Sequence, residues 1–246
     1  MKKIFLSIIF LLSCFGAFAH DTQLDVLAGG FYNYSKVFAG TASYQKYINY
    51  NYYDFDGDYR AAFKAAGGFL GFDMFFNSCP FGLYFRAGFM GVFGVNRTAG
   101  GETVALDNTE VNFNMFYDFG GVYALNVNKY FSICAAPAVS MLFVNSEYVA
   151  IEDIYSSRAA LDSLFGVGVT ADIYAKIRYK YFLAAAGCAA SFYPLTLVSS
   201  SDTKIQYSTN IRDTMAYNLR PYISLGVSIR EQTSSTISAG GVAYEK

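Results

Sequence analysis

The stretch EVNFNMFYDFGGVYALNVNKYFSICAAPAVSMLFV, residues Glu110–Val144, carries the pattern that decides the fold. In its first half, apolar residues occupy the odd positions 111–125, while small or polar residues alternate with them; Phe116 and Val122 are the exceptions. A period of two indicates β-strands, because successive side chains leave opposite faces of the pleat. After a short polar break the alternation resumes over 131–143. We therefore predict a hairpin with arms of about fifteen residues, longer than the usual strand of about five or six.

The composition points away from a soluble domain. The 246 residues are 54% hydrophobic and 19% aromatic, but only 15% charged, whereas a soluble domain carries about a quarter charged residues. The net charge is −1 and no basic run occurs. Nucleic acid is therefore not predicted as a partner, because nothing would attract its phosphates.

The N-terminus has the features of a signal peptide over residues 1–19. Lys2 and Lys3 precede an apolar run, and small residues lead up to Ala19. An alternative is a lipobox, Leu-Leu-Ser-Cys, ending at Cys14. We favour cleavage after Ala19 over lipidation at Cys14, because the residues that follow Cys14 are apolar rather than polar.

The rest of the chain predicts an all-β fold. No further apolar run is long enough for a membrane helix, and only helices and closed barrels satisfy every backbone polar group in lipid. We predict a closed antiparallel transmembrane β-barrel over residues 20–231, an up-and-down meander of eight strands, with ten strands as the alternative count. Residues 232–246 form either a polar tail or a misplaced strand. The predicted strands are 23–36, 61–76, 81–96, 110–125, 130–144, 164–178, 181–197 and 214–230.

Short and long connections alternate between these strands. Short turns lie near residues 77, 126 and 179, and segments of twelve or more residues separate them. Outer-membrane barrels have this pattern of short periplasmic turns and long extracellular loops. Aromatic residues beside the turns predict a girdle at one membrane interface: Phe75, Phe76, Phe81, Tyr130, Phe131, Tyr179, Tyr181 and Phe182. Pro137 and Pro221 lie inside predicted strands, so each predicts either a bulge or a local error in the strand assignment.

Over roughly residues 21–231 the chain resembles the eight-stranded outer-membrane proteins, the group of OmpX-like, OmpW-like and opacity-type barrels. The resemblance rests on the strand pattern. It implies outer-membrane lipid as the surroundings and the barrel-assembly machinery as a partner in biogenesis. The chain departs from that group by continuing past Arg230. A soluble lipocalin-like binder is the alternative, but the second face of the strands holds mainly Gly, Ala, Ser and Asn rather than charges.

Ionisable residues collect on the parity that should face the lumen. An eight-stranded barrel is just wide enough for its own side chains or one small ligand, and buried charges are paired. This set predicts a structural network, or a gate that passes small solutes through a narrow, partly charged lumen. Its members are Asp73, Arg86, Asp118, Asp172, Lys176, Arg178 and Arg220.

Tyrosines crowd the first long segment, 37–60, which we predict as an extracellular loop. Tyrosine is a rigid amphipathic contact residue that is common at binding surfaces. The segment therefore suggests, as the alternative function, a surface adhesin that contacts host molecules. The other possibility is that the adjoining strands extend and their tyrosines pack on one another. These residues are Tyr44, Tyr47, Tyr50, Tyr52, Tyr53 and Tyr59.

Enzyme chemistry is not predicted. The only histidine, His20, adjoins the cleavage site, so no base can be fixed near a strand serine. We also predict no metal site, no cofactor and no disulfide; three cysteines, Cys79, Cys134 and Cys188, remain after signal removal. The leading hypothesis is an integral outer-membrane barrel that is structural or passes small solutes.

Overall fold

A computed structural model describes residues 22–48, 51–76, 79–99, 102–106, 114–153, 156–202, 206–207 and 211–230. The predicted signal peptide and the segment 232–246 lie outside these ranges. Within the described ranges, no helix has the length and apolar character required to cross a membrane.

Eight antiparallel strands close into a ring, as the sequence pattern predicts. Each strand pairs with its sequence neighbour, and the last strand pairs with the first, so the meander has no open edge. The ring strands are β1 (Gln23–Ile48), β2 (Asn51–Phe75), β3 (Phe81–Ala99), β5 (Asn114–Asn126), β6 (Phe131–Asp153), β7 (Ser156–Tyr179), β8 (Phe182–Asp202) and β10 (Arg212–Arg230). Two short strands are additions: β4 (Glu102–Leu106) pairs with β3, and β9 (Gln206–Tyr207) pairs with β1. The prediction of a closed eight-stranded barrel is confirmed.

The alternation of the opening hairpin sorts its side chains as predicted. Phe119 and Leu125 on β5 are more than half exposed, and Val139 on β6 is 55% exposed on the same outer face. Asp118 and Ser140 are buried in the lumen. The two exceptions to the alternation, Phe116 and Val122, also point inward and are buried, and positions 111 and 113 are not among the described residues.

An apolar band covers the outer wall between two belts of aromatic rings. Tyr179, Tyr181 and Phe182 surround one short turn and are at least 61% exposed. Rings also pair at the opposite end of the band, where Phe38 stacks on Phe192 at 6.2 Å. Phe75 is an exception, because it is 6% exposed and points inward. It was wrongly placed in the girdle from its position beside a turn.

Neither central proline causes the bulge that the sequence suggested. The β5–β6 ladder loses the pairs opposite Pro137 and Ala136, and the same register resumes beyond them. The β10–β1 ladder likewise skips Pro221 and Arg220 without a shift. A missing N–H therefore removes local pairing, while the rest of each strand keeps its register. A shift does occur beside Pro194, on β8.

The predicted long loops are largely strand. The segment 37–60 is not a loop, because β1 and β2 stay paired from Thr41 opposite Asp58 up to Ile48 opposite Asn51. The strands β6 and β7 likewise extend to Asp153 and Ser156. The segments 97–109 and 198–213 contain β4 and β9. The prediction missed these extensions because they lie beyond the apolar band, where no buried face enforces the alternation.

A register shift on β3 interrupts the alternation of its side chains. Pairing with β2 moves from Lys64 opposite Gly94 to Ala65 opposite Val92, so one extra residue enters β3 at Phe93. Such a bulge turns later side chains to the other face. Val95 is therefore buried and Asn96 is exposed, whereas an unbroken alternation from the exposed Phe89 and Phe93 would turn Val95 outward.

Candidate functional site in the barrel lumen

Six of the seven ionisable residues of the predicted lumen set are almost fully buried inside the barrel, and the seventh, Arg178, is 26% exposed. Asp73, Arg86, Asp118, Asp172, Lys176 and Arg220 are each at most 3% exposed. They project from five strands, because the inward parity of each strand brings one or two of them to the axis. They lie at two levels, the lower tier nearest the short turns and the middle tier above it. Tyr59, Arg97 and Asp162 form a third level beyond these two, the outer tier.

The lower tier is a chain of ion pairs centred on Lys176. Its Nζ lies 2.5 Å from Asp25 Oδ2 and 3.0 Å from Asp73 Oδ2. Arg86 binds the other oxygen of Asp73 at 2.8 Å, and Arg178 binds Asp25 at 3.1 Å. Three cations therefore share two carboxylates from β1 and β2. Removing one partner of a fully buried ion pair destabilises the folded protein strongly, because the other charge is left buried and unpaired.

The middle tier joins distant strands through the Asp172 carboxylate. Oδ2 of Asp172 accepts hydrogen bonds from the hydroxyls of Tyr84 at 2.7 Å and Tyr222 at 2.9 Å. The guanidinium of Arg86 lies 4.5 Å from the ring centre of Tyr84 and 5.6 Å from that of Tyr174. Hydroxyl donors replace cations as the direct partners of this buried carboxylate.

A second part of the middle tier pairs Arg220 with Asp118 across the lumen. Arg220 donates to Asp118, which also accepts from the Ser140 hydroxyl at 2.5 Å. Asp118 therefore pairs with Arg220 and not with Arg86, its neighbour in the β3–β5 ladder. The guanidinium carbon of Arg220 lies 3.6 Å from the ring centre of Phe116, close enough for a cation–π contact.

Aromatic rings close the space around this pair. Phe31 meets Phe116 edge to face at 5.2 Å, and Phe69 meets Tyr222 edge to face at 5.2 Å. These contacts cross the lumen, since they join β1 to β5 and β2 to β10. The void left among these side chains measures about 20 Å³, which is room for about one water molecule.

The outer tier repeats the same chemistry. Asp162 accepts from the Tyr59 hydroxyl at 3.1 Å and forms an ion pair with Arg97 at 3.2 Å. All three side chains are at most 2% exposed. The sequence analysis missed Asp162 and Arg97, which lay in segments predicted as loops.

Two inward glycines make room for the large lumen side chains. A methyl group at Gly71 would lie 2.3 Å from Cδ of Arg86, and one at Gly88 would lie 2.4 Å from the Phe116 ring. Both distances are shorter than real carbon contacts. Glycine at these positions therefore fits the close approach of an arginine and an aromatic ring.

Sequence reasoning found the charges but missed several of their partners. Asp25, Tyr84, Tyr174 and Tyr222 all lie on inward parities, and a charge placed in a closed lumen requires such donors and acceptors. The inward parity of these residues is the sequence feature that could have identified them. The sequence does not indicate which carboxylate pairs with which cation, because partners such as Arg220 and Asp118 are 102 residues apart in the chain.

The Tyr-rich segment lies apart from this network. Tyr44, Tyr47, Tyr52 and Tyr53 belong to the paired ends of β1 and β2, and Tyr50 is not among the described residues. Tyr59 instead points into the lumen and joins the outer tier. The set predicted as one surface is therefore divided between two places.

The lower and middle tiers are balanced in charge. Four carboxylates, Asp25, Asp73, Asp118 and Asp172, face four cations, Arg86, Lys176, Arg178 and Arg220. Among the described residues, no cluster of three His, Cys, Asp or Glu side chains could hold a metal ion. The arrangement can cross-link the wall from inside, because several of its ion pairs, such as Lys176–Asp73 and Arg220–Asp118, join strands that are not neighbours in the ring.

Comparisons with known proteins identify barrels of low similarity. No protein-family model matches the chain, and no curated protein sequence matches it either. Among solved structures, the chain is similar to Ail, the attachment invasion locus protein of Yersinia pestis, in complex with sucrose octasulfate. The two sequences are 13% identical, the TM-score is 0.37, and the match covers 85% of this chain and 99% of Ail. The outer membrane protease OmpT of Escherichia coli matches at 8% identity and a TM-score of 0.40, covering 87% and 98%. An outer membrane channel of Pseudomonas putida F1 matches at 9% and 0.22, covering 82% and 95%.

Proposed function

We propose that the protein is an integral outer-membrane β-barrel that acts as a structural scaffold with a closed lumen, rather than as a solute channel. The observation that carries this proposal is the set of side chains that meet across the lumen. Ion pairs, tyrosine hydroxyls and edge-to-face rings join strands on opposite sides at the lower and middle tiers. A solute would have to break buried charge pairs to pass, which is costly.

The outer wall supports insertion in a membrane. Apolar side chains such as Leu70, Ile223 and Leu225 are at least 66% exposed on the ring's outside, where water would be an unfavourable neighbour. Aromatic rings border the band at both ends, as they do in outer-membrane barrels. Membrane fractionation tests this part, and recovery of the protein in the periplasm without detergent would contradict it.

Conductance in planar bilayers tests the closed lumen. We expect no stable current steps from the purified wild-type protein. A Phe31→Ala, Phe116→Ala double variant should admit small ions, because it removes two rings that fill the middle tier. Its folding is checked by the shift in gel mobility on heating. Discrete wild-type steps that change on Arg86→Ala or Asp118→Ala would show that the lumen conducts.

A second function, contact with host surfaces, is supported by the β1–β2 extension. The two strands remain paired to Ile48 and Asn51, ten residues beyond the Phe38 ring of the outer belt. At about 3.3 Å per residue the extension reaches roughly 30 Å past that belt. Its tyrosines would then lie outside the membrane, where they could contact molecules on a host cell.

Replacing residues 43–58 by a short Gly-Ser turn tests the adhesin hypothesis. We expect loss of host-cell binding with the barrel still folded. The matched control replaces the tip of the β6–β7 extension, residues 148–158, which should leave binding unchanged. Equal binding by the wild type and the 43–58 variant would rule out this function.

A further inference from the structure

A cavity of about 370 Å³ opens at the end of the barrel that carries the short turns. We call it the turn-end vestibule. Four cations line it: Lys129 from a turn, Lys176 and Arg178 from β7, and Arg230 from β10. Among the described residues of its lining, none is a carboxylate. The vestibule is therefore lined by positive charge, in contrast to the balanced tiers above it.

Two of the four cations already have partners on their inner side. Lys176 and Arg178 share the fully buried Asp25, and Lys176 also binds Asp73. Because Arg86 shares Asp73 as well, the lower tier holds three cations and two carboxylates. The two carboxylates are therefore divided among three cations and do not belong to Lys176 and Arg178 alone.

The other two cations form no ion pair with any described residue. Arg230 donates to the Gln23 side chain at 3.4 Å, and Lys129 lies over the Tyr130 ring at 4.8 Å. In addition, Nε of Arg178 is buried and has no acceptor in the described structure. A buried donor without an acceptor is costly, so an anion at this position would satisfy it.

We infer that the turn-end vestibule is a binding site for a small multivalent oxyanion, such as a phosphate-bearing solute. Guanidinium groups present planar donors that match phosphate and carboxylate oxygens, and lysine adds a point charge. The volume falls within the range of small-molecule pockets, about 300–1,000 Å³. Asn126 adds an uncharged amide to the lining, whereas the Gln23 amide already donates to Asp25 at 3.0 Å. The site does not depend on whether the lumen above it conducts.

Calorimetric titration of the full chain in detergent with inorganic pyrophosphate tests this inference. We expect saturable binding by the wild type and a Kd raised roughly tenfold or more by Lys129→Gln with Arg230→Gln, which corresponds to about 1.4 kcal/mol. Neither residue takes part in an ion pair with the described part of the chain, so the variant should fold. Absence of saturable wild-type binding would overturn the inference.

Lys180 provides a matched control for Lys129. Both are turn lysines at the same end of the barrel, and Lys180 lies over the Tyr179 ring at 5.8 Å, but it does not line the vestibule. Lys180→Gln should leave the Kd unchanged. If Lys180→Gln weakens binding as much as Lys129→Gln does, pyrophosphate responds to general surface charge and the site is refuted.

Cys79 offers an independent readout, because it is exposed and lines the vestibule. In a background with Cys134→Ala and Cys188→Ala, a negatively charged methanethiosulfonate should react faster than a positively charged one. Pyrophosphate should slow the reaction, and Lys129→Gln with Arg230→Gln should remove the preference. If Cys79 reacts at the same rate with the two reagents when Lys129 and Arg230 are present, the vestibule does not carry the positive charge that the inference requires.

Discussion

Arg220 and Arg230 lie on the same strand and the same parity, ten residues apart, yet their surroundings differ completely. Arg220 is 2% exposed, pairs with Asp118 and covers the Phe116 ring. Arg230 is exposed, and its partner among the described residues is an amide, that of Gln23. The difference teaches that a cation in this barrel has a structural role where a carboxylate faces it. Where no carboxylate faces it, the same side chain is available to a ligand.

The largest expected effect comes from breaking the Arg220–Asp118 pair. Arg220→Met leaves Asp118 buried without its cation, and we expect the free energy of unfolding to fall by about 3–5 kcal/mol. Urea unfolding in detergent, followed by circular dichroism because the chain has no tryptophan, measures this change. Arg230→Met is the control and should stay within about 0.5 kcal/mol of wild type. If both variants lose the same free energy of unfolding, the proposed difference between a structural arginine in the middle tier and a free arginine in the vestibule is wrong.

A double variant sharpens the same comparison. Removing both charges with Arg220→Met and Asp118→Leu should recover part of the loss, because no buried charge is then left alone. Additive losses would mean that packing around Phe116, rather than the ion pair, makes Arg220 important.

A smaller effect is expected at Asp172, which has hydroxyl donors in place of a bonded cation. Tyr222→Phe removes one of its two tyrosine donors and should cost about 1–3 kcal/mol, since a buried acceptor loses a partner. Tyr217→Phe is the matched control on the same strand, because Tyr217 faces outward and packs its ring on Phe38 and Tyr34. The same unfolding assay compares them, and a Tyr217→Phe loss as large as that of Tyr222→Phe would contradict the role of the hydroxyl.

Much of this architecture was predictable, because a membrane-spanning strand imposes alternation on its sequence. The apolar face of 131–143 and the inward position of Asp118 follow directly from that period. The extension of β1 beyond Val37 could not be predicted from this period, because a strand outside the bilayer does not require an apolar face. Phe75 was misassigned because an aromatic residue beside a turn can face either side.

The candidate site was predictable as a set of residues and not as a set of pairs. Parity placed Arg86 and Lys176 in one lumen, since each strand contributes its inward residues to it. Which carboxylate meets which cation depends on the stagger between strands once the ring closes. The vestibule was not foreseen at all. Lys129 lies in a turn, where parity carries no information about the side chain. Arg230 has the inward parity of Arg220, but alternation does not reveal that a cavity opens at this end of the strand.

The smallest effect on stability, and the sharpest test of the comparison, is expected at Arg178, which lies between the two regions. It pairs with Asp25 at 3.1 Å but is 26% exposed and lines the vestibule. Because Lys176 and Ser228 still bind Asp25, Arg178→Gln should cost only about 0.2–1 kcal/mol, as partly exposed ion pairs do. It should nevertheless weaken pyrophosphate binding, since it removes the cation whose Nε lacks an acceptor. Unfolding and calorimetry on the same preparation separate the two effects. A loss of several kcal/mol in the free energy of unfolding, with pyrophosphate binding unchanged, would mean that Arg178 belongs to the lower tier alone. The binding site would then consist of Lys129 and Arg230 without Arg178.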